Sequence, residues 1–299
     1  MMETSKMKLL MEGWRKFLRE EKELQELDKG AVYRLNDPNT PLATYVAVLK
    51  KYAADPNFDA LAVAGQTDGN PNDEQATVKP AVVKAASLTA TQAEIGFGNS
   101  LADQVQNKYD ATKTALGLNG TPIVMSSKSG PVPILVYNGK YVLDGHHRWS
   151  QIMMVNPTGE VKIDNLTGPA IDNEEEALKT MQFAIAAMAD KVVTKPFEGE
   201  NLMQANEQQV ANFVLKNVTD EVLQLLVQAQ KIAKPDKQLA AKYIAGNLSV
   251  IKKAAGKFSR EKSMPQAGDS GVSQDAVNQA LGTGKINFDA PKPSDVKRD

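Results

Sequence analysis

From Met7 to Leu27 apolar side chains recur at three- and four-residue steps, through Leu10, Trp14, Phe17 and Leu24, with Lys, Arg and Glu between them. That period lines up one face of a helix, so the pattern predicts an amphipathic helix there and a second over 41–54. Asp68 to Asp73 is a run of turn formers (Asp-Gly-Asn-Pro-Asn-Asp) and marks a domain boundary. Beyond it the pattern shortens. Val82 to Leu88 reads as a first strand, and Ser100 to Asp103 as a capping box opening a helix that runs to Leu116. A short apolar run follows over Pro122–Met125.

The next signal is sharper. Two apolar runs, Pro133–Tyr137 and Lys140–Leu143, flank Asn138-Gly139, a pair that tolerates positive φ and so suits a tight hairpin turn. After Leu143 the chain turns at Asp144-Gly145. Trp149, Ile152, Met153 and Val155 then recur at helical spacing until Asn156-Pro157 ends the run. Val161–Leu166 reads as another strand. From Asn173 to Gly256 Ala, Gln, Leu and Lys dominate, predicting helices broken near Lys195-Pro196, Asn217 to Asp220 and Lys234 to Asp236. Past Phe258 little periodicity is left, and a mobile tail is expected. The expected fold class is therefore α/β, of the α+β kind: a helical segment and linker over 1–75, a small mixed-sheet domain over 76–168, a helical region over 169–257 and a tail over 258–299.

Composition narrows the chemistry. The 299 residues are 42% hydrophobic, enough to build a core. With a mean hydropathy of -0.36 and no apolar run near the roughly 18 residues a membrane span needs, no membrane partner is expected. The first ten residues carry charge where a signal peptide would be apolar, so cytoplasmic residence is the expectation. There is no cysteine, which excludes disulfides, thiolate zinc sites and a catalytic thiol. The only histidines, His146 and His147, are adjacent and sit in the turn after Leu143.

A strand that ends in a glycine turn and feeds a helix leaves first-turn N–H groups facing the turn, with the positive end of the helix dipole behind them. Such a turn attracts phosphate. Gly145 allows close backbone approach, Arg148 offers a planar fork for phosphoryl oxygens, and His146 and His147 can donate hydrogen bonds or move protons. Asp144 can orient a histidine, accept a proton or hold Mg²⁺. A purely structural reading of these five residues is a hairpin-to-helix junction in which Asp144 caps the helix and Arg148 pairs with a surface carboxylate.

The stretch Tyr141 to Trp149, preceded by the hairpin and by Leu88 to Ile95, resembles the ParB/sulfiredoxin superfamily over about residues 78–166. Its Asp-Gly-His-His-Arg form is closest to members related to the ADP-dependent free-serine kinase and to ParB-like proteins of bacteriophages. Sulfiredoxin proper carries a reactive cysteine in this turn, and here there is none. The resemblance implies a nucleotide (ADP, ATP or CTP) bound through Gln92, Gly145, His146, His147 and Arg148, with Mg²⁺ at Asp144. It implies catalysis by Glu94 as general base with Asp144 and His147. Phosphoryl transfer or nucleotide hydrolysis is the activity expected on this resemblance, and nuclease chemistry lacks a carboxylate cluster for two metals. The alternative is a non-catalytic nucleotide-binding or DNA-associated module.

Three further features bear on partners. Lysines crowd 231–262 with few acids between them, which suits nucleic acid. Leu239, Ile244, Leu248 and Ile251 also fit an ordinary helix with a solvated basic face, and no helix-turn-helix is evident, so nucleic acid is not the expected partner. Residues 7–20 are similar to the short capsid-targeting helices of proteins packaged in the heads of large tailed phages. Leu18-Arg19-Glu20 fits the Leu-X-Glu pattern cut by prohead proteases, although Leu10-Met11-Glu12 and Leu24-Gln25-Glu26 fit it too. For a phage protein the compartment would be the host cytoplasm or the virion.

Overall fold

The computed structural model describes residues 77–127, 130–167, 175 and 197–257. The two helices expected before residue 55, the linker at 68–73, the capsid-docking segment 7–20, the helical stretch before 197 apart from 175, and the tail from 258 lie outside the described residues.

The described chain is α+β. Its strands are β1 (Thr77–Lys84), β2 (Thr89–Ala90), β3 (Ser126–Ser127), β4 (Gly130–Pro131), β5 (Ile134–Tyr137), β6 (Tyr141–Asp144) and β7 (Glu160–Thr167). Five of them form a mixed sheet in the order β1-β7-β5-β6-β2, while β3 and β4 pair apart. β7 runs antiparallel to β1 and parallel to β5; β6 runs antiparallel to β5 and parallel to β2. All four residues of β5 and the first three of β6 are buried, which is why these central strands read as unbroken apolar runs.

The hairpin joining β5 to β6 forms as expected. Asn138 (φ 47°) and Gly139 (φ 67°) both take positive φ, the Lys140 N–H closes the turn on the Tyr137 carbonyl at 3.0 Å, and Asn165 Oδ1 accepts the Gly139 N–H at 2.7 Å. The strand at Val161–Leu166 also forms. The first strand differs from expectation: it covers Thr77–Lys84, and Ala85–Ser87 is a 3-10 turn. β7 decides this, since it supplies pairing partners from Thr167 back to Glu160, after which the Ala85 N–H turns to the Gly159 carbonyl. Among the described residues β1 is an edge strand, the position in a sheet that tolerates a proline such as Pro80.

The helices are α1 (Phe97–Val105), α2 (Ala111–Ala115), α3 (His146–Val155), α4 (Glu207–Asn217), α5 (Asp220–Gln228) and α6 (Lys237–Lys253). The single helix expected from Ser100 to Leu116 is corrected to α1 and α2. Gly96 caps α1, and the Ser100 hydroxyl, inside the helix, donates back to the Gly96 carbonyl at 2.8 Å. Asn107, Tyr109 and Asp110 then adopt positive φ and break the helix. Asn107 compensates: its Oδ1 accepts the N–H groups of Thr112 and Lys113 at 3.1 Å, and its Nδ2 donates to Glu221 at 2.7 Å.

Both later breaks form where turn and capping residues predict them. Thr219 caps α5, and Asp236 caps α6 through the N–H groups of Gln238 and Leu239. α4 opens on a capping box between Asn206 and Gln209.

One continuous apolar core joins the sheet, α1 to α3 and the helices after residue 197. Its central piece is α3, in which every residue from Trp149 to Val155 is buried. Trp149 is fully buried and donates from Nε1 to the Ala85 carbonyl at 3.1 Å. α6 closes the end of α3: Tyr243 donates its hydroxyl to the Val155 carbonyl at 2.6 Å, and Asn247 Nδ2 donates to the Met154 carbonyl at 2.8 Å. Among the described residues no helix is long and apolar enough to cross a membrane.

Candidate phosphate-binding turn

The turn between β6 and α3 has the strand–glycine–helix order of the sequence reading. Gly145 takes φ 95° and ψ 26° as the residue capping α3, a conformation open to glycine and costly for any residue with a Cβ. The Arg148 guanidinium folds back over it. A Cβ built on Gly145 would lie 2.9 Å from Nη2 and 3.1 Å from Nε of Arg148. From this position Arg148 Nη2 donates to Asp144 Oδ2 at 2.8 Å, and Nη1 donates to the carbonyls of Val132 and Pro133 at 2.8 and 2.9 Å. Arg148 therefore clamps the turn to the segment before β5. Its side chain is 16% exposed and that of Asp144 38%.

The two histidines take different places. His146 is buried, and its Nε2 accepts the Thr91 N–H at 3.1 Å, so that nitrogen carries no proton. The Thr91 hydroxyl donates to the Val142 carbonyl at 2.7 Å and lies 3.2 Å from the same nitrogen. His146 thus ties the loop after β2 to the start of α3. His147 is half-buried, and its Cε1 lies 3.1 Å from the position a Cβ would take on Gly96, the cap of α1. His147 of α3 thus sits against the cap of α1, and the two helices touch again where Ser100 Oγ lies 2.8 Å from Ser150 Oγ.

Gln92 and Glu94 come from the loop between Thr91 and Gly96. Gln92 is buried, and Gly256 lies flat on its backbone: a Cβ on Gly256 would fall 2.4 Å from the Gln92 nitrogen. The Ala90 N–H donates to the Ala254 carbonyl at 2.9 Å, so the end of α6 straps this loop. Glu94 is half-buried and lines an open cavity of about 560 Å³ together with Phe97, Phe197, Glu200, Gln204 and neighbouring residues.

The sequence reading missed what holds that loop. Asn201 Oδ1 accepts the N–H groups of Ile95 and Met203 at 3.1 and 3.0 Å, and its Nδ2 donates to the Ala93 carbonyl at 3.1 Å. Backbone bonds from Leu202 to Ile95 and from Phe97 to Glu200, both 2.8 Å, complete the pairing. Thr91, Gly96 and Asn201 are as much part of the site as the motif residues. Only Gly199, as a turn former in Glu198-Gly-Glu-Asn201, hinted at structure there.

Glycine turn, histidines, arginine and the Glu94 loop thus meet at two points, Thr91 with His146 and Gly96 with His147. Among the described residues no group of three His, Asp or Glu side chains could hold a metal by itself. A Mg²⁺ at Asp144 would fit only in the manner usual for nucleotide sites, with one carboxylate and the remaining oxygens from water and phosphate. No family model, curated protein or solved structure matches this chain.

Proposed function

We propose that the chain binds the phosphates of a nucleotide at the Asp144–Arg148 turn and catalyses phosphoryl transfer or nucleotide hydrolysis, as a ParB/sulfiredoxin-like protein. The observation that carries this reading is the glycine-capped start of α3, with His147 of its first turn packed against Gly96, the cap of α1. The N-terminus of a helix favours an anion, and an N–H-donating His147 would add to the attraction. Gly145 leaves the space that the Arg148 guanidinium fills, so a phosphate would meet that guanidinium over the turn. His146 and Arg148 act one step back, the first holding the Thr91 loop and the second the shape of the turn. A phosphate over the turn would compete with Asp144 for Arg148 Nη2, releasing the carboxylate toward Mg²⁺.

In this reading Glu94, two residues before Gly96, accepts the proton of an attacking hydroxyl or water as its oxygen bonds to phosphorus, and the nucleotide departs with the electrons of the broken bond. A bound Mg²⁺ would supply charge neutralisation on the phosphates. A second reading, a module that binds nucleotide without turnover, is favoured by the Asp144–Arg148 pair, which neutralises two of the motif's charges against each other.

Titration of the protein with Mg²⁺ and ADP, ATP or CTP, with released or transferred phosphate measured in parallel, tests both. Turnover that disappears in Glu94→Gln while binding persists supports the enzyme. Binding of any of the three without turnover supports the module. No binding at millimolar nucleotide, with the fold intact by circular dichroism, removes both.

A further inference from the structure

Helix α6 carries no acidic residue along its 17 positions. Its exposed residues are Lys237, Gln238, Lys242, Gly246, Ser249, Lys252 and Lys253. At about 100° per residue, all of these except Lys237 fall within one stripe along the helix, opposite the buried Ala240, Ile244, Leu248 and Ile251. From Lys231 to Lys257 the chain has seven lysines against one acid, Asp236, and so carries +6, whereas the whole chain carries -1. The positive charge is concentrated here.

Part of it is used locally. Lys231 donates to Asn156 Oδ1 at 3.1 Å, and Lys234 lies 3.4 Å from Asp236. Lys237, Lys242, Lys252 and Lys253 form no ion pair with any described residue. Between Lys242 and Lys253 the stripe passes through Gly246, over which a Cβ would meet nothing within 4 Å, and Ser249. Small residues there leave the helix surface low, so an extended partner can approach the charges at both ends. With a rise of about 1.5 Å per residue those ends are roughly 16 Å apart.

We infer that the exposed face of α6 binds the phosphate backbone of duplex DNA without reading its sequence. The charge calls for a polyanion whose negative groups repeat over at least this span, and the duplex supplies one charge per about 1.7 Å of axis. The stripe holds no aromatic ring on which an unpaired base would stack, because Tyr243 is turned inward on Val155. Nor does it present the Asn, Gln or Arg array that reads base edges, apart from Gln238 at one end. Single strands and sequence-specific readout are therefore not what this face is built for. The inference is independent of nucleotide chemistry at the β6–α3 turn.

The test measures anisotropy of a labelled 20-base-pair duplex of arbitrary sequence against full-length protein at salt concentrations from about 25 to 200 mM. Binding is expected with a log–log salt slope of about -2 to -4, as two to four released counterions imply. The triple variant Lys242→Glu, Lys252→Glu, Lys253→Glu should weaken binding at least about tenfold at low salt and flatten the slope by about 2 to 3. The corresponding three Lys→Arg changes should leave both near wild type. Equal melting temperatures would assign the loss to charge rather than unfolding; if the Glu variant melts lower, three Lys→Gln changes serve instead. Absent binding at 25 mM salt, binding unaffected by charge reversal, stronger binding to a single strand, or binding only to anionic lipid vesicles would each overturn the inference.

Discussion

Substituting Gly145 by alanine tests the geometry of the turn most directly. Two separate costs arise. A Cβ at φ 95° meets its own backbone, a penalty of about 1–2 kcal/mol for left-handed conformations of L-residues. The same Cβ would lie 2.9–3.2 Å from three atoms of the Arg148 guanidinium, which must swing away and release the Val132 and Pro133 carbonyls. Those two charged hydrogen bonds, partly replaced by water, account for roughly 1–2 kcal/mol together. The Asp144 pair adds little, since that carboxylate side is more than a third exposed. The sum, about 2–4 kcal/mol, corresponds to a fall in Tm of about 5–12 °C for a body of this size.

Urea unfolding of wild type, Gly145→Ala, Arg148→Ala and the double variant forms a cycle that separates the costs. Arg148→Ala removes the bonds without strain, so the double variant should cost about as much as Gly145→Ala alone, and the two changes should fall short of additivity by about 1–2 kcal/mol. Additive losses, or a Gly145→Ala variant within about 0.5 kcal/mol of wild type, would refute the clamp.

Three further outcomes follow from the hydrogen-bond geometry. Asn201→Ala removes two bonds to the loop that carries Glu94 and a third to Met203 in its own turn and should cost about 1–3 kcal/mol, read by thermal melting, with faster amide exchange at Ile95. Gly256→Ala places a Cβ against the Gln92 backbone and should peel the strap, seen as faster exchange of the Ala90 amide without global unfolding; unchanged exchange would show that the strap yields. Tyr243→Phe removes the cap on Val155 at about 0.5–1.5 kcal/mol. Burial raises the Tyr243 pKa above its ordinary 10.0, so its contribution is complete below pH 10 and is lost as pH rises through the raised value; the Phe variant should therefore show a shallower alkaline loss of stability than wild type.

Local sequence was a sound guide wherever the physical cause is local. The Asn138-Gly139 hairpin, the glycine turn into α3 and the breaks before α5 and α6 all depend on positive φ or on a capping side chain within a few residues of its target. Ser100 misled for the opposite reason. Its spacing to Asp103 looks like a cap, yet its hydroxyl bonds back to Gly96 and lies 2.8 Å from Ser150 Oγ, contacts set by the packing of α1 on α3. The break after Val105 likewise depends on Asn107 reaching Glu221, over a hundred residues away.

The motif at 144–148 was legible as a unit, but its division of labour was not. Asp144-Gly145-His146-His147-Arg148 signals a strand that turns at glycine into a helix, because glycine conformation and helix polarity follow from the chain alone. Which of them faces a ligand depends on what else arrives. Thr91 takes His146, the carbonyls of Val132 and Pro133 take Arg148, and Gly96 receives His147. The sequence by itself determined an α+β chain with a polarised turn, since dihedral preference and hydrophobic period act over a few residues. Only the tertiary structure decided that Asn201 and Gly256 brace the Glu94 loop, because burial is a property of neighbours distant along the chain.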